Sequence, residues 1–186
     1  NTAVGFQTAF NLTTGQYSTY VGYNAGGIGT ITGNSNTVLG YNAGYDLTSG
    51  HSNVLIGNSA GQNFTANNNN VVIGIDALES ADAGEHYNVA IGSETLKTMN
   101  QPNGDGNVAI GFQAFKDLNV ANPKGLAIGY QAAQGATTST ESTYVGYESG
   151  GSGVITGNEN TCLGYRTGKD LTSGTANVFL GKDAGE

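Results

Sequence analysis

Cysteine is almost missing from this chain of 186 residues: Cys162 stands alone, so no disulfide can form within it. Proline occurs only twice, and the 31 glycines show no collagen triplet. Charge is scarce as well, with six Lys and Arg against 14 Asp and Glu and a formal net charge of −8. Nucleic acid and anionic membrane surfaces require dense cationic side chains, so neither is an expected partner. No apolar run reaches the length that spans a bilayer, and direct membrane insertion is not expected. No signal peptide is legible either, an absence without weight because the chain opens in mid-phrase at Asn1-Thr2-Ala3-Val4-Gly5. Extracellular chains this poor in cysteine are held together by repetition or by oligomerisation.

Repetition is what the sequence contains. A phrase whose fullest form is Asn-x-aliphatic-aliphatic-Gly-x-x-Ala-Gly returns eleven times. Its pivot glycines are Gly5, Gly22, Gly40, Gly57, Gly74, Gly92, Gly111, Gly129, Gly146, Gly164 and Gly181. Successive gaps run 17, 18, 17, 17, 18, 19, 18, 17, 18 and 17 residues. A sustained period of this size marks a solenoid in which each phrase is one rung. Residues 1–186 therefore read as a single repeat array. Neither end carries a capping sequence, which leads to the expectation of a segment of a longer fibre, or of a unit stacked head to tail on its copies.

Aligning the phrases exposes columns. The residue before each pivot glycine is always aliphatic, from Val4 and Val21 to Leu163 and Leu180, and such residues favour strands. Two places earlier stands Thr, Val or Leu, as in Thr19, Val71 and Leu126. Alternation along a strand puts these two columns on one face, expected to line the rung's interior. The residue between them is never charged: Tyr20, Val38, Leu55, Val72, Tyr144, Cys162 and Phe179 are examples. On this reading that middle column faces outward and forms the contact between subunits. Three residues after the glycine every rung carries a small residue, as at Thr8, Ala25 and Ala184, which suits a narrow interior. The glycine itself is expected to adopt positive φ or to admit a neighbouring backbone closely. Each rung then reads as strand, glycine turn, short second strand and outer loop, giving eleven rungs at about 4.8 Å and a rod of roughly 50 Å.

Segments 18–61 and 142–185 are identical at 29 of 44 positions, an offset of 124 residues or seven rungs. Exchanges in the middle column stay apolar (Val38 for Cys162, Leu55 for Phe179), whereas two places after the glycine Asn24 becomes Glu148 and Asn42 becomes Arg166. The first column is buried and the second solvated. A three-sided helix of hexapeptides fails, because six residues beyond the aliphatic column stand Phe10, Gly27, Tyr45, Gln62, Glu79, Lys97 and Lys116. The leucine framework of leucine-rich repeats is missing too.

The phrases Asn88-Val89-Ala90-Ile91-Gly92, Asn107-Val108-Ala109-Ile110-Gly111 and Leu126-Ala127-Ile128-Gly129 resemble the head repeat of YadA-like trimeric autotransporter adhesins. The opening Asn-Thr-Ala-Val-Gly-Phe-Gln-Thr-Ala, with its Thr-Thr-Gly turn, is similar to arrays in bacteriophage tail fibres. The resemblance spans essentially the whole chain. It implies a left-handed parallel β-roll, three chains side by side as a homotrimer, and an extracellular place on a bacterial surface or virion fibre. Rungs here are longer than the family's usual ones, and the tyrosine column after the glycine is heavier.

Seven of the eleven residues that follow the pivot glycine are aromatic: Phe6, Tyr23, Tyr41, Phe112, Tyr130, Tyr147 and Tyr165. In register they form an aromatic ladder, better suited to packing than to stacking on sugars. The column Asn1, Asn36, Asn53, Asn70, Asn88, Asn107, Asn160 and Asn177 predicts an amide ladder between rungs. Asp76 and Glu94 fall at equivalent places on adjacent rungs, a spacing compatible with a retaining glycosidase, but their column elsewhere holds Asn, Gln, Ser and Arg, which points to a solvated face. Asn103-Gly104-Asp105-Gly106-Asn107 resembles part of a calcium loop without the remaining ligands, and His51 and His86 read as solvated loop residues. Asn11-Leu12-Thr13 and Asn63-Phe64-Thr65 are sequons, relevant only in a eukaryotic secretory pathway. No catalytic constellation, cofactor site or metal site is expected. The expected function is attachment: a stiff trimeric rod meeting a cell-surface glycan, protein receptor or matrix through loops 63–70, 80–87, 97–106 and 135–142. Alternatives are a structural filament without a receptor and, remotely, a polysaccharide-degrading tailspike.

Overall fold

The computed structural model describes residues 1–82 and 84–186. Among these residues the chain forms eleven three-residue strands and no helix. The strands are β1 (Thr2–Val4), β2 (Thr19–Val21), β3 (Thr37–Leu39), β4 (Val54–Ile56), β5 (Val71–Ile73), β6 (Val89–Ile91), β7 (Val108–Ile110), β8 (Leu126–Ile128), β9 (Thr143–Val145), β10 (Thr161–Leu163) and β11 (Val178–Leu180). Each pairs in parallel with its sequence neighbours, so one sheet runs in chain order from β1 to β11. The register puts identical phrase positions opposite one another, for instance Val71 with Val89 and Ile73 with Ile91. This is the parallel β-solenoid that the period predicts, with one phrase per rung.

Among the described residues the short second strand expected after the pivot glycine does not form. Two places after the glycine the backbone is left-handed in every rung, as at Asn24 (φ 53°) and Glu94 (φ 58°). Two places further it is left-handed again, at Gly26, Leu78, Leu96 and Phe115 among others. Alternating left-handed residues coil the chain too tightly for strand pairing. The turns are laddered all the same: Gly44 N–H donates to Ala60 O at 3.0 Å, and Phe115 N–H to Ala132 O at 3.0 Å. Nearly every level of the rung thus satisfies its backbone groups on the next rung.

Pivot glycines are required by crowding as well as by φ. At Gly92 (φ 132°) a Cβ would lie 2.5 Å from the carbonyl oxygen of Gly111 on the next rung. No side chain larger than hydrogen fits there without parting the two rungs.

The interior is arranged opposite to the sequence-based expectation. Only the central residue of each strand points inward: Tyr20, Val38, Leu55, Val72, Tyr144 and Cys162 have no exposed surface, and Phe179 in the last strand is half-buried. The flanking residues, such as Thr37 with Leu39 and Val89 with Ile91, point outward and are exposed or half-exposed. A three-residue strand on so narrow a coil offers one inward position, and two bulky columns would not fit inside it. Facing the central column are the small residues three places after the glycine, including Ala25, Ala60 and Ala132, all fully buried. A further inward column lies seven places after the glycine, where Leu47, Phe64, Met99 and Leu118 close the opposite side.

Volume is balanced within single rungs. Tyr20 faces Gly26, where a Cβ would come within 2.7 Å of the ring, and Tyr144 faces Gly150 at 2.6 Å. Where the central residue is alanine, the facing position is large: Ala90 goes with Leu96 and Ala109 with Phe115, all four fully buried. Rung 8 is small at both places (Ala127, Ala133), and the rings of Phe115 and Tyr144 meet edge to face across it at 6.0 Å. Native packing density demands such compensation.

Candidate functional site

Tyr20, Val38, Leu55, Val72, Tyr144, Cys162 and Phe179 are core residues and not a subunit contact, since the coil of their own chain covers them. Burial pushes the Cys162 thiol up to about 11, so it is an inert core group. The surface open to a partner is the other face of the sheet. Its two columns carry Thr, Val, Leu or Ile at all 22 places and never a charge or an amide. Val4, Leu39, Leu163 and Leu180 are 45–71% exposed. With rungs about 4.8 Å apart, the strip is about 50 Å long and about 10 Å wide, on the order of 500 Å². That is the upper end of what monomeric proteins leave bare.

The aromatic column borders this strip. Phe6, Tyr23 and Tyr41 form one stack, with ring centroids 5.2 and 5.3 Å apart. Phe112, Tyr130, Tyr147 and Tyr165 form a second, at 5.4, 5.1 and 5.2 Å. Asn58, Ile75 and Ser93 interrupt the ladder between them. Because each ring stacks on the next, the inner faces of a stack are turned to one another, and only the end rings have a face without a stacked ring. Sugar rings bind aromatic faces, so these stacks suit packing better than glycan recognition.

The asparagine ladder forms as the spacing predicts. Asn53 Oδ1 accepts from Asn70 N–H at 3.1 Å, Asn70 Oδ1 from Asn88 N–H at 2.9 Å, and Asn88 Oδ1 from Asn107 N–H at 2.9 Å. Ser18 and Ser142 stand in through their hydroxyls, accepting from Asn36 and Asn160 N–H at 3.0 Å. A second ladder was missed by sequence reasoning. Two residues before the first, Asn34, Asn68, His86, Asp105 and Asn158 each accept a backbone N–H from the preceding rung, at 2.6–3.0 Å. His86 is therefore a rung-to-rung acceptor through Nδ1, and Asp105 accepts from the backbone of its neighbouring rung through Oδ1. The signal was the recurrence of Asn two places before the ladder residue at Asn34, Asn68 and Asn158.

Asp76 and Glu94 are each held by a cation one rung on. Asp76 lies 2.9 Å from Lys97 Nζ, and Glu94 lies 3.1 Å from Lys116 Nζ while accepting from Gln113 Nε2 at 2.9 Å. The Gln113 and Lys116 hydrogen bonds hold the Glu94 carboxyl below its ordinary range. A glycosidase acid must be pushed the other way to keep its proton at neutral pH. Of the loops expected to meet a receptor, the one at 80–87 contains Ala83, which lies outside the described residues. No protein-family model, curated protein or solved structure matches the chain.

Proposed function

We propose that this chain is a segment of a non-enzymatic extracellular fibre or adhesin, in which three copies pack side by side through the outer sheet face. The uncharged strip of 22 outward side chains carries the reading, because a lone rod would leave it bare to water along its whole length. The resemblance to YadA-like heads and tail fibres supplies the number of copies and the left-handed coil. Buried aliphatics would hold the rod together, and the rim loops, repeated threefold, would meet a cell-surface glycan, protein or matrix by avidity. Sedimentation of the purified segment is expected to give a trimer, and a monodisperse monomer would overturn the reading. Ile91→Lys with Ile110→Lys is expected to yield a folded monomer, since both side chains sit on the outer face. A purely structural filament is the second reading, favoured by aromatic faces that are turned to one another. A panel of host glycans and matrix proteins tested against the intact segment separates the two: binding lost on grafting the rim loops to Gly-Ser supports attachment, and no binding supports the filament.

A further inference from the structure

Glu85 is the one carboxylate among the described residues with no exposed surface. It stands three residues before the ladder residue Asn88, a place held by glycine in six other rungs (Gly15, Gly33, Gly50, Gly104, Gly157 and Gly174). Its Oε2 accepts from Asn67 Nδ2 at 2.7 Å, while Oε1 has no hydrogen-bond partner among the described residues. Its stem lies against Gly104, where a Cβ would come within 3.1 Å of Cγ. Among the described residues no Lys, Arg or His pairs with it. The ionisable groups around it offer no compensation. Asp82 adds a like charge, the His86 ring accepts from Asn68 N–H, and Asp105 is engaged by the His86 N–H.

We infer that Glu85 is a pH-controlled latch in the middle of the rod, closing the turns around β5, β6 and β7 while its carboxyl carries a proton and letting them open once it is ionised. Burial chiefly, with the Asp82 charge, pushes this carboxyl up to about 7, against the pull of the Asn67 amide and the backbone N–H groups of Glu85 and Gln101. An exposed glutamate titrates near 4.5, so the closed form binds the proton more tightly than the open one. The stabilisation is complete below about 4.5, fades as pH rises, and is gone above about 7. Over that window the opening constant rises about tenfold per pH unit, about 300-fold in all.

Amide exchange of the whole segment, read by mass spectrometry and corrected for intrinsic rates, tests this. Between pH 5 and pH 8, protection in peptides covering 78–107 is expected to fall by about 30-fold or more, while peptides covering 36–61 stay level. Glu85→Gln and, independently, Glu85→Gly, which installs the residue found at this place in six other rungs, are expected to level the response. Protection in 78–107 that ignores pH in the unsubstituted chain overturns the latch. So does a fall that persists in either folded variant.

Discussion

Replacing Tyr20 by Ala removes a fully buried ring and leaves a hole that the stiff rungs above and below cannot close, at a cost of about 3–5 kcal/mol. Gly26→Leu alone fails for the opposite reason. Its Cβ would lie 2.7 Å from two carbons of the Tyr20 ring at a φ of +60°, so overpacking of about 1–3 kcal/mol joins a left-handed strain of about 1 kcal/mol. Independent effects would total about 5–9 kcal/mol. Together, however, the two changes recreate the pairing of Ala90 with Leu96 that the chain already uses four rungs on. The double variant is therefore expected within about 3 kcal/mol of the parent, a coupling of about 2 kcal/mol or more. Urea unfolding followed by far-ultraviolet circular dichroism on the parent, both single variants and the double closes the cycle. Additivity within about 0.5 kcal/mol would refute the idea that rungs balance volume internally.

The two buried tyrosines offer a control within one molecule. The Tyr144 hydroxyl meets Ser139 Oγ at 3.2 Å, whereas the Tyr20 hydroxyl has no hydrogen-bond partner within 3.5 Å among the described residues. Tyr144→Phe is expected to cost about 1 kcal/mol and Tyr20→Phe to be neutral or stabilising by thermal melting, and equal losses would contradict that difference. Asn70→Ala strands the buried N–H of Asn88 and the carbonyl of Glu85, which should lower stability by about 2–4 kcal/mol in denaturant titration. Asn70→Ser should recover part of that loss, since Ser18 and Ser142 fill the same role. Gly92→Ala places a methyl against the Gly111 carbonyl, and exchange protection should drop at β6 and β7 before it does at β2.

The rung was legible because its backbone rules recur: pivot glycine, ladder asparagine and aliphatic strand each appear often enough to align themselves. Which strand face points inward was not, because both faces are apolar and polarity alone cannot separate core from outer surface. The deciding information lay in volume. Tyr20 with Gly26 and Ala109 with Phe115 vary inversely in size across one coil, which neighbours on an outer surface have no reason to do. The second strand was over-read from spacing, since left-handed φ at residues as ordinary as Gln113 and Leu96 has no strong signature in composition. Glu85 was passed over because its loop reads as polar, and only the stacking of Asn67 and Gly104 around it makes that carboxyl dry.

Gaps between pivot glycines vary from 17 to 19 residues, yet the five positions from the glycine onward and the four before the next one keep their places. Every added residue must therefore emerge along a single margin of the molecule. That margin can be lengthened, decorated or rewritten one rung at a time while the spine keeps its pitch, so variation in such a chain is confined to where something outside can touch it.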